Sequence, residues 1–81
     1  MKINKYNNFK NISGTKLKQL RLDKRLTQKN LAEKMQLLGI DITSREISKI
    51  ENNARLVQDF ELLAFAEIFE VSADIFKIKY N

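Results

Sequence analysis

Apolar positions recur along this chain at helical spacing in several successive stretches. Leu17 and Leu20 share a face with Arg21, while Lys16, Lys18 and Gln19 lie mostly elsewhere, which predicts a helix from about Ser13 to Lys24. Leu31, Ala32, Met35 and Leu38 form the next stripe, and Thr27 ahead of it is a plausible N-cap. A second helix is therefore expected from Gln28 to about Leu38, with Gly39 supplying the left-handed conformation that ends it. Later, Leu62, Phe65, Ala66 and Phe69 mark a fourth helix, Phe60 to Glu70, starting after Asp59. A short fifth, about Ala73 to Ile78, is expected after Ser72, with Val71 and Ile75 joining the core.

The third helix carries the sharpest pattern, in TSREISKIEN from Thr43 to Asn52. At about 100° per residue, Ser44, Arg45, Ser48, Lys49 and Asn52 fall within about 140° of one another, and Ile47 and Ile50 point the opposite way. Thr43 followed by Glu46 is a capping box, which places the polar stripe at the helix start. That end carries the positive pole of the helix dipole, whose free amides favour phosphate oxygens. Two hydroxyls, an arginine and a lysine on one face suit a nucleic-acid groove, although an ordinary amphipathic helix with a solvated face has the same period. Asn52-Asn53 can take the left-handed stop conformation, since asparagine tolerates positive φ.

Arg21 lies on an apolar face, where an unpaired cation is costly. Glu51, beside the Ile47/Ile50 stripe, is the carboxylate best placed to pair with it, the alternative being that Arg21 reaches out to water. Leu63, Ile68, Phe76, Ile78 and Tyr80 remain as an apolar surplus. They would line a homodimer interface or form partly exposed apolar surface.

Composition narrows the function. The 81 residues suit one small domain, marginal by surface-to-volume scaling and helped by dimerisation. Residues 1–11, rich in lysine and asparagine, read as a flexible basic arm with Tyr6 and Phe9 able to dock on the domain. Residues 12–81 form that domain. Lys2, Lys5 and Lys10 of the arm either reach phosphates or merely solubilise the terminus. With neither cysteine nor histidine, a disulfide framework and the ordinary metal, triad and cysteine-nucleophile chemistries are not expected. No cofactor and no enzymatic activity are expected, and no paired-carboxylate constellation stands apart from caps and solvated faces. No apolar run approaches the ~20 residues of a membrane span, so a cytoplasmic protein without a membrane partner is expected. Charge is divided: residues 1–55 carry 13 Lys/Arg against 5 Asp/Glu, and residues 56–81 carry 2 against 5, or +8 and −3 in a total of +5. A basic half joined to an acidic half offers one face to a polyanion.

From Gly14 to Phe76 the chain resembles the Xre family of helix-turn-helix domains, the type of phage repressors and Cro proteins. The strings that carry the likeness are LKQLRLDKRLTQKNLAEKM, TSREISKIENNAR and LLAFAEIFEVSADIF. The resemblance implies an all-α, five-helix bundle of the lambda-repressor-like type, with helix three lying in the major groove of double-stranded DNA. It implies that Ser44, Arg45 and Lys49 read base edges, that Gln28 and Asn52 hold phosphates, and that Arg21 and Glu51 form a buried ion pair. Lys29, Ser48 and Arg55 are further phosphate candidates. Two departures stand out: nine residues, MQLLGIDIT, separate LAEK from helix three where the family usually has four, and Asn53 replaces the glycine after ISKIEN. The expected function is a sequence-specific transcriptional regulator, a homodimeric repressor. The alternative is an antitoxin or adaptor whose C-terminal apolar surface binds a protein partner.

Overall fold

Helices α1 (Gly14–Asp23), α2 (Gln28–Leu37), α3 (Ser44–Glu51) and α4 (Asp59–Phe69) follow one another and are closed by a 3-10 turn, Ala73–Phe76. The structure, a computed structural model, describes residues 11–76. Residues 1–10 of the expected arm, Ile78 at the end of the expected fifth helix and Tyr80 of the apolar surplus lie outside the described residues. Leu17, Leu31, Met35, Ile47, Ile50, Phe65 and Phe69, drawn from all four helices, are buried together with Phe76 of the turn. α3 packs chiefly on α2 and also on α1, so its apolar stripe is covered on two sides.

The helix starts follow local chemistry. At α2, Thr27 Oγ1 accepts the Asn30 N–H at 2.9 Å and Asn30 Oδ1 accepts the Thr27 N–H at 3.1 Å. At α3, Thr43 Oγ1 accepts the Glu46 N–H at 3.1 Å, and Glu46 Oε1 accepts the Thr43 N–H at 3.1 Å. α4 begins one residue earlier than expected, with Gln58 rather than Asp59 as its N-cap. The reason is Glu61, whose Oε1 accepts the Gln58 N–H at 2.9 Å and sets the register of the first turn.

All four helices end alike. A residue at the end of each adopts positive φ: Arg25 (58°), Gly39 (85°) and Asn53 (60°), each just after the C-cap, and Glu70 (56°), which is itself the C-cap of α4. The amide beyond it reaches back to a carbonyl of the last turn, as from Leu26 to Arg21, Ile40 to Met35, Ala54 to Lys49 and Val71 to Ala66. This is the Schellman closure, which satisfies the last carbonyls of each helix. Asn53 therefore does the conformational work of the family's glycine.

Two core expectations are corrected. Leu38 is 42% exposed and not part of the α2 stripe, because α2 stops at Leu37. Ile42 takes the buried place, its carbonyl held by Gln36 Nε2 at 3.0 Å. The long connection between α2 and α3 is thus a closed turn plus an apolar plug. The expected fifth α-helix is, over its described residues, only a 3-10 turn, so five helices are not formed there. The Ile75 N–H bonds to the Ser72 carbonyl at 3.0 Å, three residues back, and at three residues per turn Ala73 and Phe76 share a side. Phe76 is consequently buried at 2% exposure, while Ile75, expected in the core, is 37% exposed.

Candidate nucleic-acid interface

The polar stripe of α3 faces outward, since Ile47 and Ile50 are fully buried and fix its rotation. Ser44, Arg45, Lys49 and Asn52 are exposed and Ser48 is half-buried. Among the described residues, neither Arg45 nor Lys49 has an ion-pair partner. Their charges stand on the only outward face of a helix that is otherwise locked.

Arg21 and Glu51 provide the lock. Arg21 Nε donates to Glu51 Oε2 at 2.6 Å and Nη2 to Oε1 at 3.0 Å, while Nη1 donates to the Leu26 carbonyl at 2.8 Å. The pair joins the end of α1 to the end of α3. The Glu51 hydrogen bonds hold the Arg21 guanidinium above its ordinary pKa, against the opposing effect of burial. Gln28 completes the group, its Nε2 donating to Glu51 Oε1 at 3.1 Å. The first residue of α2 is thereby tied to the last residue of α3. A second amide hydrogen of Gln28 remains for another acceptor. Lys29 beside it is exposed.

Asn11, assigned to the arm by composition, is buried at the same C-terminal end of α3. Its Nδ2 donates to the Ile50 carbonyl at 3.1 Å and the Arg55 carbonyl at 2.8 Å. Its Oδ1 accepts the N–H groups of Ser13 and Gly14, at 3.0 and 2.8 Å, and Nδ2 of Asn53 at 3.1 Å. One amide side chain caps α1 and holds the exit of α3. Gly14 lies where these elements touch: a Cβ there would collide with the Ile50 carbonyl oxygen, so only glycine lets α1 approach this closely. No periodicity or spacing in the sequence signals either contact.

Arg55, expected among the phosphate contacts, faces carboxylates. Its Nη1 and Nη2 donate to Glu61 Oε1 and Oε2 at 2.9 and 2.8 Å, and Nη1 also to the Leu56 carbonyl at 2.9 Å. Glu46 Oε2 lies 3.6 Å from Nη2. Burial is the largest single influence on Glu61 and pushes its pKa up. The Arg55 hydrogen bonds, the Gln58 N–H and the Arg55 charge together outweigh it and hold the carboxyl below its usual value. Sequence reading missed this pair, although Glu61 three residues after Gln58 carries half of a capping-box signal. A cleft of about 460 Å³ opens here, lined by Glu46, Lys49, Ala54, Arg55, Leu56 and Gln58.

Among the described residues, no helix is long and apolar enough to cross a membrane. No curated protein and no solved structure matches the chain. A family model described as helix-turn-helix matches residues 17–76, about three quarters of the sequence. With its capped second and third helices packed as one unit, the chain belongs to the Xre-type helix-turn-helix family, whose members are DNA-binding transcription regulators.

Proposed function

We propose that the protein is a sequence-specific regulator of transcription, a homodimeric repressor that lays α3 in the major groove. The observation that carries this reading is the exposed stripe of α3, with Arg45 and Lys49 unpaired among the described residues on a helix whose rotation is fixed from behind. Arg45 pairs with the O6/N7 edge of guanine, Lys49 with guanine or an adjacent phosphate, and Ser44 with a neighbouring base edge. Each good base contact discriminates by ~1–3 kcal/mol. Gln28, Lys29, Ser48 and Asn52 hold phosphates and fix the register without reading sequence.

Selection from random duplex DNA, at low and near-physiological salt, tests this. A two-fold-symmetric motif that survives the higher salt supports it, and Arg45→Ala should relax preference at one position of each half-site. Binding indifferent to sequence, and lost with salt, would remove it. With Lys29 and Lys49 each neutralising about one phosphate per monomer, log affinity should fall against log salt with a slope of about −4 per dimer.

A second reading rests on α4. Phe60 and Leu63, three residues apart on that helix, are 55% and 62% exposed, and exposed apolar side chains at that spacing suit a protein contact. In that reading the domain is an antitoxin or adaptor. Tight binding of a protein partner, combined with weak and indiscriminate DNA binding, would favour it.

A further inference from the structure

We propose that Arg55 is a positioning residue that sets the angle of the recognition helix, and not a phosphate contact. This rests on the reading of α3 as the DNA-reading element. Arg55 stands in the connection between α3 and α4 and is held at both ends. Its backbone carbonyl is gripped by Asn11 Nδ2 at 2.8 Å, and its guanidinium makes a two-pronged bond to Glu61 at 2.9 and 2.8 Å. Fork-to-carboxylate pairing of this kind fixes direction as well as distance.

The two carboxylates around Arg55 are the acids of two capping boxes. Glu61 Oε1 also takes the Gln58 N–H, which opens α4, at 2.9 Å. Glu46 Oε1 takes the Thr43 N–H and Oγ1, which open α3, at 3.1 and 3.2 Å. Its other oxygen lies 3.6 Å from Arg55 Nη2. A single cation therefore links the first turn of α3 to the first turn of α4. Arg45 precedes Glu46 directly and Lys49 follows three residues later, just under one turn, so any tilt at Glu46 moves both base-reading cations. A guanidinium already balanced by one buried and one nearby carboxylate has little charge left for a phosphate. Exchanging Glu61 for a phosphate would leave a carboxylate in a residue only 3% exposed without its partner.

The two roles predict opposite patterns. For a phosphate contact, Arg55→Met weakens selected and random DNA equally and reduces the salt slope by about one unit per monomer, while Glu61→Gln frees the arginine and strengthens random binding. For a positioning residue, both variants lower the preference for the selected site over random DNA by at least about fivefold, the scale of one misaligned base contact, with the salt slope unchanged. The second readout needs no DNA. Residual dipolar couplings of the α3 amides, measured against those of α1 and α4 in the free protein, should change in both variants, and circular dichroism checks that each is folded. Glu61→Gln is nearly isosteric and serves if Arg55→Met does not fold. Unchanged α3 couplings in a folded variant overturn the proposal whatever the DNA arm shows. Wild-type protein without sequence preference would instead remove the DNA-reading assignment, leaving the couplings to decide the role of Arg55.

Discussion

Replacing Arg21 and Glu51 by methionine, singly and together, measures what locks α3 from behind. The side chains are only 9% and 2% exposed, with two short charge-assisted hydrogen bonds between them. In Glu51→Met the guanidinium keeps only the Leu26 carbonyl. In Arg21→Met the carboxylate keeps only the Gln28 amide. Each single change strands a buried charge, at a cost of about 3–5 kcal/mol. At roughly 0.05–0.15 kcal/mol per residue, an 81-residue chain has roughly 4–12 kcal/mol in all, so either change removes about a quarter of the total or more. The double variant strands no charge and conserves volume, leaving only the Leu26 carbonyl and the Gln28 amide without their partners, and should lie within about 1–2 kcal/mol of wild type. Urea unfolding followed by circular dichroism, at one protein concentration, gives the coupling energy, expected at about 3 kcal/mol or more. A single variant costing less than about 1 kcal/mol, or a double variant equal to the sum of the singles, would refute the reasoning.

Three further outcomes are expected. Gly14→Ala drives a methyl group into the Ile50 carbonyl and against Asn53 Nδ2, and should destabilise by about 1–3 kcal/mol despite alanine's better helix propensity; an unchanged denaturation midpoint would show that α1 yields freely. Arg25→Gly and Glu70→Gly relieve positive φ at 58° and 56° and should each stabilise by roughly 0.5–1 kcal/mol, read as a raised midpoint; loss of stability in both would show that these side chains contribute more than their backbone strain. The carboxyl of Glu61 has its folded pKa below the ordinary value of 4.5, so the unfolded chain binds the proton more readily in acid. Its contribution is therefore complete above that ordinary value and lost as pH falls toward the lowered one. Glu61→Gln should flatten this part of the acid denaturation curve, and an identical acid limb in the variant would place the effect elsewhere.

What the sequence made legible was local. Thr27, Thr43 and Gly39 act within four residues of themselves, and the α3 stripe repeats at a period that depends on nothing beyond the helix. The meeting of Arg21 with Glu51 lies 30 residues apart, yet it was foreseeable, because a cation on an apolar stripe demands a partner and few carboxylates face the core. Glu61 offered a fainter version of that argument, hidden by an α4 start placed one residue late. Ile75 and Phe76 exchanged places because periodicity was carried across Glu70, where the left-handed turn resets the register and the pitch changes to three residues. Asn11 gave no signal: asparagine in a polar, lysine-rich stretch has the composition of a free terminus, and its acceptors are backbone atoms that no residue type advertises.

The Asn11 clamp also orders events during synthesis. Its acceptors on Ile50 and Arg55 follow 39 and 44 residues later in the chain, whereas the Ser13 and Gly14 N–H groups that it caps lie beside it. A nascent chain can cap α1 at once, through Asn11 Oδ1 and the Ser13 and Gly14 N–H groups, but that cap is anchored to the end of the recognition helix only after residues 50 and 55 have emerged. Chains halted before Ile50 lack both carbonyls that receive the Asn11 amide, so α1 in such copies should be more open to proteolysis than in chains that extend past Arg55.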